Sequence, residues 1–252
     1  MNESLIINLE NHRSRQRIKE MGEVFTPEKY VQQMLNLFEP KIWSDENVIF
    51  FEPTAGHGNI VVPILEKRIQ SLEKKYSRQG LRQVELRAMA NAVNSLWAID
   101  ICNLNVQLTR KRILSTLVSY YCEARIQLSL PKARDFWAHL LCSIVWQITE
   151  NEALSALHEG NLSKEAAAQT KLGKSWFSKN GHKPIDFSCD WVTFFEDQSS
   201  NKSIPAIFLR SLRFFDACLS KPAPNGFEEF DFAKDILWKA SKREHELAGE
   251  AS

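Results

Sequence analysis

The segment Glu52-Pro53-Thr54-Ala55-Gly56-His57-Gly58 carries the residue types in this chain best suited to holding a small ligand. An acid comes first, then two glycines one residue apart, between apolar runs at 48–51 and 60–65. Glycines so placed can take backbone angles closed to other residues, and without a Cβ they let a ligand lie against the main chain. The loop lacks the third glycine of a dinucleotide fingerprint and the Gly-Lys-Ser/Thr ending of a phosphate-binding loop. An acid at the end of a strand disfavours a phosphate and favours a cationic group. A second acid, Asp100, closes another apolar run at 95–101. In dinucleotide-binding sheets the acid after the second strand accepts hydrogen bonds from ribose hydroxyls. The interval from Gly58 to Asp100 is about twice the ~20 residues usual there. A charged helical insertion around 71–90 accounts for the excess. The other reading is that Asp100 caps the helix that follows it.

These residues need elements to position them. Pro27 suits the first turn of a helix carrying Tyr30, Val31, Met34, Leu35, Leu37 and Phe38 as an apolar stripe, and Pro40 ends it. Residues 48–51 read as a short strand. A helix follows from Ile60, with Pro63 tolerated in its first turn. Residues 95–101 read as a second strand, after which Asn103 can cap a helix through Val106, Leu108, Ile113, Leu114, Leu117 and Val118. Pro131 opens a further helix, and 143–148 fits either its continuation or a third strand. Glu152 fits either an acid after that strand or a helix N-terminus. Beyond about residue 155 the chain is aromatic-rich and helical in character, with turns at 180–184 and 222–226, helices expected over 190–196 and 205–219, and a charged tail. The pairs Phe194-Phe195 and Phe214-Phe215 are suited to packing two helices together. The expected organisation is a basic arm over 1–21, a ligand-binding α/β domain over 22–158 and a helical lobe over 159–252.

Composition narrows the classes. The 252 residues carry a net charge of +1, so a nucleic-acid partner must be met by a local basic patch. Two candidates are the arm Arg13, Arg15, Arg17 and Lys19, and the cluster Arg110-Lys111-Arg112. Both read equally as solvated surface, and phosphate contacts would position without specifying sequence. The five cysteines are dispersed, with no Cys-x-x-Cys pair, which implies reduced thiols and no metal site. No apolar run approaches the ~18 residues of a membrane span, and the N-terminus lacks the order of an export signal. A cytoplasmic protein is expected.

Three ordered stretches carry a family resemblance: Gly22-Glu23-Val24-Phe25-Thr26-Pro27, then Phe51 to Asn59, then Ala98-Ile99-Asp100-Ile101. Together they resemble the amino-group DNA methyltransferases, in particular the adenine-specific branch that includes modification subunits of restriction systems. The resemblance implies a Rossmann-like S-adenosylmethionine-dependent core with a short sheet. It implies that Phe25, Thr26 and Pro27 pack on the methionine end of S-adenosylmethionine and that Glu52 reaches its amino group. Pro53, Thr54, Gly56 and Gly58 would form the binding turn, and Asp100 would take the ribose.

One departure is large. The family carries an acid, amide or serine followed by Pro-Pro and an aromatic, which holds and stacks on the flipped base. No Pro-Pro pair exists in this chain, and neither Leu130-Pro131-Lys132 nor Lys183-Pro184-Ile185 replaces it. Adenine's exocyclic nitrogen is a poor nucleophile, so its lone pair must be oriented by a hydrogen-bond acceptor and a stacking ring. The expectation is therefore a DNA adenine methyltransferase-like protein with an S-adenosylmethionine-binding loop and no assigned catalytic residues, a degenerate or partner-dependent member without autonomous catalysis. The alternatives are an active enzyme with a divergent loop, and a structural or interaction protein working through its helical half.

Overall fold

The computed structural model describes residues 26–124, 129–158, 171–185, 187 and 203–250. Three short strands, β1 (Phe50–Glu52), β2 (Leu96–Asp100) and β3 (Ile148–Glu150), form a parallel sheet in the order β1-β2-β3. Phe50 pairs with Leu96 and Ala98 with Ile148. Helices surround this sheet, so the molecule is mainly helical with a small parallel β core.

Parallel neighbours require long crossovers. The first is made by α2 (Val61–Arg78) and α3 (Val84–Asn94), the second by α4 (Asn103–Glu123) and α5 (Arg134–Gln147). The expected helical insertion is thus two helices, and together they produce the long interval between Gly58 and Asp100. Pro63 sits in the first turn of α2, where its missing N–H costs nothing. Asn103 is not a cap: it lies inside α4, and its side chain donates to Glu150 Oε2 at 3.0 Å. The stretch 143–148 resolves as helix to Gln147, with β3 starting at Ile148. Its apolar residues suit both states, and packing of the α5 face decides between them.

Strand alternation sends Phe50, Leu96, Ala98 and Ile148 to one face of the sheet, where they join a large apolar cluster. Trp137 of α5 lies in that cluster, as do Phe214 and Phe215 of α8 (Ser203–Ser220), all with no exposed surface. Burying each such ring contributes about 1.5–3 kcal/mol. Phe214 stacks on Phe230 at 4.7 Å, tying α8 to the turn before α9 (Lys234–Glu250). The predicted pair Phe214-Phe215 is therefore core, whereas Phe194-Phe195 and the expected helix at 190–196 lie outside the described residues. On the opposite face, Phe51 and Trp97 meet Phe187 edge-on, at 5.0 and 5.3 Å. Phe187 follows the short α6 (Ala153–Leu157), then α7 (Lys171–Asn180) and a turn at Gly181.

The stripe expected on α1 (Glu28–Leu35) is only half right. Val31 and Leu35 are buried, but Tyr30, Met34, Leu37 and Phe38 stay exposed. The helix lies at the edge of the molecule, so one line of its apolar residues suffices to dock it. Arg68 holds the adjoining turn in place. Fully buried, it donates to the carbonyls of Ile42, Trp43 and Asp45 and to Ser95 Oγ. Burial lowers its pKa, with Tyr76, Asp45 and Glu46 opposing that shift.

Candidate functional site

The glycine loop leaves the C-terminal end of β1 and enters α2, the place where parallel α/β sheets bind ligands. Gly56 and Gly58 both take positive φ, 54° and 81°. A Cβ built on Gly58 would lie 3.2 Å from both Oγ1 and Cγ2 of Thr109. The second glycine is therefore required by close packing against α4, before any ligand is considered. Gly58 N–H donates back to Ala55, and Val62 N–H to Gly58, so the loop turns directly into the helix.

Asp100 and the loop meet although 44 positions separate Asp100 from Gly56 in sequence. The Gly56 N–H donates to Asp100 Oδ2 at 2.8 Å. The other oxygen, Oδ1, accepts from the Cys102 N–H at 2.8 Å and from Asn105 Nδ2 at 3.1 Å. The carboxylate is nearly buried and joins the ends of β1 and β2 to the start of α4. Glu52 is turned onto its own loop: Oε1 accepts from the Thr54 N–H at 2.9 Å and from Thr54 Oγ1 at 3.0 Å. Its Oε2 accepts no hydrogen bond among the described residues and remains able to meet a cationic group. Pro53 follows the strand and lends the loop no N–H.

Three residues of α4 shape the site without any motif to announce them. Asn105 holds Asp100, Thr109 Oγ1 donates to the Gly56 carbonyl at 3.0 Å, and Arg112 donates to the His57 carbonyl and to Asn59 Oδ1 at 2.8 and 2.7 Å. Their spacing of four and then three residues places them on one helical face. A polar stripe on a helix otherwise destined for the core is the signal that could have found them. Arg112 also acts on Glu66, whose pKa is raised by burial and by Glu28 and held down by Arg112.

The cluster Arg110-Lys111-Arg112 does not form one basic face, because Arg110 points inward. Arg110 is buried and donates to the carbonyls of Ile148 and Val145 at 2.8 and 2.9 Å, closing the C-terminal end of α5. Desolvation pushes its pKa down to about 10. Lys111 and Arg112 are both exposed, with Arg112 donating to the glycine loop. Glu152 acts as the N-cap of α6, accepting from the Ser155 N–H at 2.8 Å, which is the helix-terminus reading. Thr26 and Pro27 precede α1, and no hydrogen bond or ring contact joins them to the glycine loop among the described residues. Phe25, Arg13, Arg15, Arg17 and Lys19 lie outside those residues.

Among the described residues no group of three or more His, Cys, Asp or Glu side chains could hold a metal, and no helix is long and apolar enough to cross a membrane. The described cysteines, Cys102, Cys122, Cys142 and Cys218, are in the thiol form and not in disulfides. The chain has no match among known protein families, curated proteins or solved structures.

Proposed function

We propose that the chain is a DNA adenine methyltransferase-like protein, a Rossmann-like S-adenosylmethionine-binding unit that does not catalyse methyl transfer by itself. The observation that carries this reading is the hydrogen bond from the Gly56 N–H to Asp100. It joins a glycine loop after β1 to the acid ending β2, the two features that frame a nucleoside in parallel α/β sheets. The strand order β1-β2-β3 corresponds to one half of a doubly wound sheet. Glu52 Oε2 would meet the amino group of the donor, Asp100 Oδ2 would accept from its ribose, and the main chain at Gly56 would lie against it. When bound, the sulfonium supplies an activated methyl group. Glu52 would orient that molecule and Asp100 would fix its sugar. Without a carboxylate or amide beside paired prolines and an aromatic, no residue here would hold the acceptor nitrogen in line with the methyl. DNA would then be engaged through a partner subunit, as in a restriction-modification assembly.

A second reading is favoured by Asp100 itself. Its two oxygens already accept three protein donors, so the acid has a complete structural role without any ligand. On that reading the fold is a relic serving as an interaction module. Calorimetric titration with S-adenosylmethionine decides between them. Micromolar binding that Glu52→Gln and Asp100→Asn each weaken at least tenfold supports the donor site. Absence of heat from protein with an unchanged circular dichroism spectrum sinks it in favour of the relic.

A further inference from the structure

We infer that the groove between α3 and the start of α5 is a binding site for a small-molecule phosphate monoester with a flat apolar body. This groove shares no residue with the glycine loop, so its ligand is independent of the donor-site reading.

The groove encloses about 540 Å³, within the roughly 300–1,000 Å³ of small-ligand sites. One wall is α3, through Leu86, Arg87 and Ala90. The other is the 3-10 turn Leu130–Ala133 with the first turn of α5, through Lys132, Ala133 and Phe136. The floor is apolar: Leu86 and Ala133 are buried, Ala90 and Phe136 half-buried. The Phe136 ring is held edge-on to Trp137 at 5.7 Å and stacks with Tyr121 at 6.5 Å. A ring fixed by two neighbours gives a flat ligand a rigid surface to lie on.

The rim is charged, and two of its cations are unpaired. Arg134 forks onto Asp216, both contacts at 2.7 Å, and reaches Asp135 at 3.3 Å, so these acids are already answered by a cation. Arg87 and Lys132 are exposed, stand on opposite walls, and form no ion pair among the described residues. Two like charges lining one small groove repel, and an anion held between them relieves that cost. The Arg87 Nε–H donates to the Arg82 carbonyl at 3.0 Å, which steers the guanidinium and leaves its two terminal nitrogens for a bidentate contact. Lys132 adds a point charge from the facing wall. Two cations match the nearly two negative charges of a phosphate monoester at pH 7 better than the single charge of a carboxylate.

The backbone at the mouth is strained as well. Gln83, which leads into α3 and also lines the groove, holds a left-handed φ of 52°. Strain of this kind persists only where the surrounding structure fixes it, and it collects at ligand sites.

The test is calorimetric titration of the full chain with phenyl phosphate, inorganic phosphate and benzyl alcohol, the last two supplying the charge and the ring separately. Phenyl phosphate should bind at least tenfold more tightly than either. Arg87→Gln with Lys132→Gln should weaken it at least tenfold. Lys174→Gln with Lys179→Gln, which removes the same charge from exposed positions on α7, should leave it within twofold. In the parent chain, phenyl phosphate should shift the amide resonances of Leu86 and Phe136, a readout that needs no variant. Absence of heat, equal affinity for inorganic phosphate, equal loss in the two double variants, or shifts confined to the glycine loop overturns the inference. A phosphotyrosine peptide flanked by alanines that binds at least tenfold more tightly than phenyl phosphate overturns the small-molecule assignment in favour of a phosphorylated protein.

Discussion

Replacing Gly58 by alanine tests the geometry on which the site depends. Gly58 has φ of 81°, where an alanine Cβ is strained by about 1–3 kcal/mol. The new methyl would lie 3.2 Å from two side-chain atoms of Thr109. If Thr109 turns aside to relieve that contact, it gives up its hydrogen bond to the Gly56 carbonyl, a loss of about 0.5–1.5 kcal/mol. The sum is a destabilisation of roughly 2–4 kcal/mol, a large part of the ~5–15 kcal/mol that holds a typical domain together. Urea denaturation followed by circular dichroism measures it as a fall in midpoint at constant slope. The double variant Gly58→Ala with Thr109→Ser keeps the hydroxyl and removes the crowding methyl. It should recover about 1 kcal/mol at most, because the backbone strain remains. A single variant within about 0.5 kcal/mol of the parent, or complete recovery in the double variant, refutes the reasoning.

Two further outcomes follow from the packing around α5 and α8. His139 of α5 is half-buried, with Nε2 3.0 Å from Oδ1 of Asn94 at the end of α3, and desolvation pushes its pKa down to about 4. The unfolded chain binds a proton near pH 6.5 that the folded chain refuses, so this contribution is complete above that pH and is lost as pH falls toward about 4. Urea midpoints should therefore drop by the equivalent of about 3 kcal/mol more in the parent than in His139→Gln across that window, and equal slopes count against it. Phe214→Ala should cost about 3–5 kcal/mol, because the ring is wholly buried and stacked on Phe230. A thermal midpoint within a few degrees of the parent would show that the helical half does not share this core.

Much of the local structure was legible in the chain because its signals are local. The apolar runs became β1 and β2 within two residues of their expected bounds, and Pro63 marked the first turn of α2 as its chemistry requires. Glycine spacing located the loop, since only backbone freedom permits positive φ there. Sequence could not say what the glycines were for. Gly58 answers to Thr109, and Asp100 answers to Gly56, Cys102 and Asn105, through contacts spanning up to 51 positions. Arg110 shows the same limit. Its neighbours in sequence suggested a basic surface, but its position on α4 turned it inward to the carbonyls ending α5. Conversely, Tyr30, Met34, Leu37 and Phe38 had the pattern of core and remained outside it. Residue type and period determine which element forms and which sides of it could be apolar or polar. Which of those sides is buried depends on what packs against it, and that is decided only when distant segments meet.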